Sequence, residues 1–96
     1  MTKTILTQDQ IQPLLDAGWT LTDDGEAVTK TYEFKDFVAA FGWMTQVAIH
    51  AQTMDHHPEW SNVYKTVEVA LTSHDAGGLT ARDAKLAGIM DTLADR

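Results

Sequence analysis

The segment from Asp36 to Thr53 sets the firmest limit on how this chain folds. Phe37, Phe41, Met44, Val47, Ala48 and Ala51 recur along it at spacings of three and four. At about 100° per residue they form one apolar stripe of a long helix that Asp36 opens. His56-His57-Pro58 closes it, because the residue before a proline is pushed out of the helical region. Val38 and Ile49 fall outside the stripe, flanking Gly42 and Thr45. A solvated helix has little need of that second strip, so the helix is expected to bury two faces, one of them against other copies of the chain.

The flanks of this helix mirror each other. Before it, Thr7-Gln-Asp-Gln10 reads as a capping box, Ile11, Leu14 and Leu15 follow at helical spacing, and Gly18 is a stop. Pro13 lies awkwardly close to the first turn of that helix. Trp19–Leu21 and Ala27–Phe34 read as strands joined through the turn signal Asp23-Asp24-Gly25. After the long helix, Glu59–Tyr64 and Thr66–Thr72 read as two more strands. Val67, Val69 and Leu71 alternate with Thr66, Glu68 and Ala70, which buries one face of the second. Asp75-Ala-Gly-Gly78 is a loop. Thr80-Ala-Arg-Asp83 is a second capping box, with Leu79 placed to staple onto Ala84. Leu86, Ile89, Met90 and Leu93 give the last helix its apolar face. Short connections within each strand pair make the sheet antiparallel, and the alternation leaves one sheet face for the helices. The expectation is a single α+β domain over residues 1–96.

Composition narrows the function. Seven Lys and Arg against 14 Asp and Glu give a formal charge of −7. The basic residues Lys3, Lys30, Lys35, Lys65, Arg82, Lys85 and Arg96 are scattered, which argues against nucleic acid and against an anionic membrane surface. The chain has no cysteine, so disulfides, thiolate catalysis and zinc–thiolate sites are excluded. No apolar run approaches the ~18 residues of a membrane span. The start, Met1 to Thr7, lacks the apolar core of a signal peptide, and the expected location is the cytoplasm. A chain this short sits near the lower size range for a stable core, which favours oligomerisation.

The polar residues that call for explanation are His56, His57, His74 and Asp83, with Trp60 beside them. Histidine moves protons near neutral pH, and several near one sheet edge suit a reaction that needs an acid and a base. A metal centre is disfavoured. Adjacent residues of an extended segment point in opposite directions, and neither His-x-His nor His-x-x-x-His is present. No nucleophile elbow or phosphate-binding glycine loop occurs either. The residue types alone define an acid–base or ligand-binding domain. By local rules Asp83 is the third residue of a capping box. His50, on the polar side of the long helix, reads as solvated.

The spacing of His56-His57-Pro58, Tyr64, His74 and Asp83 resembles the pterin-4a-carbinolamine dehydratases. Met54-Asp-His-His-Pro-Glu-Trp-Ser-Asn-Val-Tyr64 is similar to that family's signature segment. Thr72-Ser-His-Asp-Ala-Gly-Gly-Leu-Thr-Ala-Arg-Asp83 is similar to its second block, and Asp36-Phe-Val-Ala-Ala-Phe-Gly-Trp-Met44 to the start of its long helix. The resemblance implies a four-stranded antiparallel sheet with three helices on one face, and a homotetramer built through the helix at 36–53. It implies loss of water from a 4a-hydroxytetrahydropterin left by an aromatic amino acid hydroxylase. The product is a quinonoid dihydropterin, as in tetrahydrobiopterin recycling.

It further implies His56, His57, His74 and Asp83 as catalytic residues, with no metal and no cofactor. In that reading His57 is the acid on the departing hydroxyl. His56 and His74 bind the pterin and help move the nitrogen proton. Pro58, Trp60 and Gln52 would contact substrate, Trp60 being equally a candidate for the core. Gln52 departs from the family pattern, which usually places a chargeable residue, often an acid, four residues before the histidine pair. An amide cannot hold a charge that raises a histidine's basicity. Two other roles compete with the enzyme: a pterin-binding protein without catalysis, and a protein-interaction module like the transcriptional cofactor the family supplies in animals.

Overall fold

A computed structural model describes residues 4–95. Lys3 and Arg96, two of the scattered cations, lie outside the described residues, as do the first three residues of the segment read as no leader. In chain order the elements are α1 (Gln8–Asp16), β1 (Thr20–Leu21), β2 (Val28–Glu33), α2 (Phe37–Thr53), β3 (Glu59–Val63), β4 (Thr66–Leu71) and α3 (Ala81–Ala94). This is the expected order, with strands one or two residues shorter than their sequence patterns. Every strand pairing is antiparallel, and the sheet order is β1-β2-β4-β3.

Period-two patterning decides which face of the sheet is covered. Val28 and Tyr32 on β2 and Val67, Val69 and Leu71 on β4 are buried, while Thr31 and Glu68 between them are exposed. Ile11 and Leu14 from α1 and Leu86, Ala87 and Met90 from α3 meet that inner face in one core. Pro13 sits inside α1 after all. It withholds one N–H from the helix ladder on an exposed face, where the freed carbonyl is not shut away from solvent. The capping box holds the start of this helix: Thr7 N–H donates to Gln10 Oε1 at 2.8 Å and Gln10 N–H to Thr7 Oγ1 at 3.3 Å.

Asp91 of α3 ties the first hairpin to the last helix. It accepts from Trp19 Nε1 at 3.1 Å, from Lys30 Nζ at 2.7 Å and from the Tyr32 hydroxyl. Burial, and then this hydrogen bond, push the Tyr32 phenol well above the ordinary tyrosine pKa.

Helix α2 corrects the sequence reading. Its inward stripe is Ala40, Trp43, Val47 and Ala51, with Met44 half-buried, whereas Phe37, Phe41 and Ala48 are exposed. At about 100° per residue the helix is turned by about 60° from the expected stripe. Trp43 explains the rotation. Its ring centroid lies 4.5 Å from that of Tyr32 and 5.2 Å from that of Phe34, and its indole N–H donates to the Met90 carbonyl at 3.1 Å. The largest side chain on the helix therefore fixes which way the helix faces, and its N–H needs a buried acceptor. The second apolar strip is real and wider than expected. Phe37, Val38, Phe41 and Ile49 all stand open to solvent, with Phe37 and Phe41 rings 5.6 Å apart.

Candidate active site

The end of α2 aims the histidine pair. Met54 caps the helix, Asp55 takes the left-handed conformation with φ of 51°, and the chain turns out of the helix axis. The Asp55 N–H reaches the Gln52 carbonyl at 3.2 Å and the His56 N–H reaches Ala51 at 3.0 Å. This pair of bonds is the Schellman pattern, and it fixes the backbone of His56 directly. Asp55 stands where glycine is usual; aspartate is among the few other residues that tolerate that conformation.

His56 is buried, and its Nε2 lies 2.5 Å from Asp83 Oδ1. Asp83 is fully buried at the start of α3. Its second oxygen accepts from Ser73 Oγ at 2.8 Å and from the Thr80 N–H at 2.9 Å. Ser73 Oγ in turn lies 2.9 Å from Thr80 Oγ1. The two sequence readings of Asp83 thus coexist in one side chain. One oxygen closes the capping box and the other holds His56. A carboxylate can only accept, so His56 Nε2 carries a proton and its Nδ1 is left free.

His57 points the other way, as alternation in an extended segment requires, and is exposed. Its Nε2 lies 3.0 Å from Gln52 Oε1. The position that departs from the family pattern therefore touches the histidine whose basicity was in question. His74 follows Ser73 in the loop after β4. Its Nε2 lies 2.6 Å from Glu59 Oε2, at the first residue of β3. This hydrogen bond, and then the charge of Glu59, raise the His74 pKa above the ordinary histidine value. The chain thus brings all three histidines to the end of the sheet where β3 begins and β4 ends. Each is tethered through Nε2, and each leaves Nδ1 for another partner.

Other expected site residues sit differently. Trp60 is half-buried against the core, its ring 6.1 Å from Trp43. Pro58 is half-buried in the extended stretch between His57 and Glu59. His50 is exposed, as expected. A shallow hollow over the open sheet face, lined by Thr29, Thr31, Glu59, Ser61, Glu68 and Ala70, includes Glu59 but none of the three histidines. Among the described residues, no three His, Asp or Glu side chains are grouped to hold a metal ion.

Sequence reasoning missed Glu59, Ser73 and Asp55. For Glu59 a signal existed. The two residues Tyr64 and Lys65 join β3 to β4, with Val63 opposite Thr66. Counting outward from that turn puts Glu59 opposite Ala70, near the loop that carries His74. Ser73 had no comparable signal, because its partner Asp83 reaches it only through the packing of α3.

The fold and this constellation define a class: a small α+β protein with paired histidines and a third histidine gathered at one sheet end, each on an oxygen partner. The particular family follows from comparison. Residues 4–93 match the family described as Pterin 4 alpha carbinolamine dehydratase, and the chain belongs to that family. A protein of Roseobacter denitrificans, provisionally named a pterin-4-alpha-carbinolamine dehydratase, is 53% identical over 98% of this chain and 99% of its own length. One of a Jannaschia species, named in the same provisional way, is 60% identical over 88% of this chain and 86% of its own. The crystal structure of a transcriptional coactivator/pterin dehydratase from Brucella melitensis superposes with a TM-score of 0.88 at 43% identity, covering 95% of this chain and 99% of that one. A pterin dehydratase-like RuBisCO assembly factor of the alpha-carboxysome shares the fold, with a TM-score of 0.69 at 17% identity over 79% of this chain and 88% of its own.

Proposed function

We propose that this protein is a 4a-hydroxytetrahydropterin dehydratase working by histidine acid–base catalysis. The observation that carries the reading is the set of three histidines, each fixed through Nε2 with Nδ1 free, in a chain of this family. In the reaction the bond from carbon 4a to the hydroxyl oxygen breaks and its electron pair leaves with oxygen. An imidazolium supplies the proton that makes the leaving group water. The adjacent ring nitrogen donates its lone pair to form the new double bond to carbon 4a, and a neutral imidazole takes the proton that nitrogen then loses. The product is the quinonoid dihydropterin, and exchange with solvent restores both histidines.

We assign His57, exposed and turned away from the core, as the acid. His56 and His74 bind the pterin, and His56 takes the proton that the nitrogen loses. The buried Asp83 keeps His56 in the tautomer whose free Nδ1 accepts that proton, as an orienting carboxylate does in other acid–base pairs.

The proposal extends to the cellular setting. The substrate comes from an aromatic amino acid hydroxylase, the product returns to tetrahydrobiopterin through a reductase, and the enzyme acts in the cytoplasm. The structure's own support is narrower: no helix of the described residues is long and apolar enough to cross a membrane. The exposed strip of Phe37, Val38, Phe41 and Ile49 supports a homotetramer assembled through α2.

The decisive assay follows freshly made 4a-hydroxytetrahydropterin with no added metal. Acceleration by the native chain that survives a chelator, and a loss of at least about tenfold in His57→Ala, are expected of a lost general acid. Tight pterin binding without turnover leaves a non-catalytic binding protein. Neither binding nor turnover points to an interaction module instead. Sedimentation at micromolar concentration should show the tetramer, and a monomer there removes the assembly from the proposal.

A further inference from the structure

Glu59 is a charged side chain at the site that the acid–base scheme above leaves without a task. It opens β3 directly after the histidine pair and Pro58, and its carboxylate lies 2.6 Å from His74 Nε2. Its backbone is anchored by pairing with Ala70 on β4, whereas His74 stands in a loop after β4 ends. The strand therefore holds the carboxylate and the carboxylate holds the ring. Both side chains are open to solvent, at 80% exposure for His74 and 61% for Glu59. A contact between two such exposed chains adds little to stability, because water screens it. Its consequence lies in the orientation and charge of the ring.

We propose that Glu59 is the positioning residue of His74, fixing the ring through Nε2 so that Nδ1 is turned to the pterin and, when the ring is protonated, donates to it. This deepens the dehydratase reading and rests on it. The charges facing His74 agree with the assignment. Glu59, Asp75 and Asp83 all favour the cation, Glu59 most strongly. Arg82, the nearby cation, is engaged by Asp75 at 2.8 Å, and His56 is engaged by Asp83 at 2.5 Å. The three histidines then have distinct partners and distinct tasks. A buried carboxylate orients His56, a neutral amide receives the His57 N–H, and an exposed carboxylate holds His74 and favours its charged form.

The test pairs ring titration with turnover. The His74 resonance is followed by NMR against pH in the native chain and in Glu59→Gln and Glu59→Asp, alongside pH–rate profiles. Glu59 raises the His74 pKa, so its removal lowers that pKa toward the ordinary value. Above both values the protonated fraction falls about tenfold for each unit lost, and turnover falls with it. At pH values below both, His74 is charged in either form and the rates converge. The alkaline limb of Glu59→Gln should therefore move to lower pH, and Glu59→Asp should recover part of the loss. In a His74→Gln background, Glu59→Gln should change nothing further. An unmoved His74 titration overturns the proposal. So does a rate loss in Glu59→Gln that is equal at all pH values or persists in the His74→Gln background. A native chain inert toward the carbinolamine would sink the dehydratase reading alone. The ring titration then decides for Glu59: a fall in Glu59→Gln sustains the inference and constancy ends it.

Discussion

Helices α1 and α3 begin with the same local device and use it for different ends. Thr7 and Gln10 form a capping box on the surface, and Thr80 and Asp83 form one in the interior. In the first, two polar side chains exchange bonds with two backbone N–H groups and nothing else is asked of them. In the second, replacing the amide by a carboxylate and burying it leaves one oxygen free of capping duty. That oxygen takes His56. A motif that is purely local in α1 thus becomes part of the candidate site in α3, although the two helix starts are neighbours, the Leu6 N–H meeting the Leu79 carbonyl at 2.8 Å. What separates them is burial, since a buried carboxylate must find a donor for each oxygen.

The largest effect expected is at the interior box. Asp83→Ala strands the Thr80 N–H and the His56 ring N–H in the core without their acceptor, and leaves the Ser73 hydroxyl only Thr80 Oγ1. At about 1–3 kcal/mol for an unsatisfied buried group, the total should reach about 3 kcal/mol or more, with turnover lost as well. The milder Asp83→Asn separates the roles. Its amide keeps one acceptor oxygen, so the cap can survive while the histidine partner changes. A large fall in rate with a near-normal melting temperature is expected. A lowered melting temperature with unchanged turnover would reduce Asp83 to a cap and dissolve the comparison. Thr7→Ala at the surface box should cost about 0.5–2 kcal/mol and leave turnover untouched.

The helix ends sharpen the same contrast with smaller effects. Helix α1 ends on Gly18 with φ of 104°, and α2 ends on Asp55 with φ of 51°, in the same Schellman arrangement. A Cβ at Gly18 would meet Lys30 at an ordinary 3.5 Å, so the cost of Gly18→Ala is conformational, about 1 kcal/mol, with no change in rate. Asp55→Gly should do the reverse. It relieves a strained backbone and raises the melting temperature, while freeing the turn that aims His56 and slowing turnover. Thermal melts and steady-state rates of both variants check this, and a destabilised Asp55→Gly contradicts it.

The smallest effect expected is at Gln52, 3.0 Å from His57. Gln52→Glu places a negative charge beside the ring and favours its protonated form. The limb of the pH–rate profile that belongs to His57 should move to higher pH, with faster turnover near neutrality. Profiles from about pH 6 to 9, spanning the histidine range, measure it. Identical profiles would make the amide an equivalent replacement.

Much of this molecule is written in short-range patterns. Caps at Thr7, Asp36 and Thr80, stops at Gly18 and Pro58, and the alternation from Val67 to Leu71 each act over a few residues. They gave the seven elements and the antiparallel sheet. The histidine pair, His74 and Asp83 were legible as candidates because spacing carries family likeness. The facing of α2 was not legible. Period alone admits several stripes on a helix this apolar, and the choice fell to Trp43, whose ring and N–H needed partners on β2 and α3.

The sequence by itself determined the order of elements, the two capping boxes and the histidines as candidates for the chemistry, because those depend on neighbours a few positions apart. Gln52 reaches His57 from only five positions away, but tertiary structure decided which carboxylates His56 and His74 would meet. Asp83 comes to His56 across 27 positions, Glu59 to His74 across 15, and Ser73 to Asp83 across 10. No local preference brings such residues together. They meet because burying the apolar faces of β4, α2 and α3 in one core brings together the two loops at that end of the sheet.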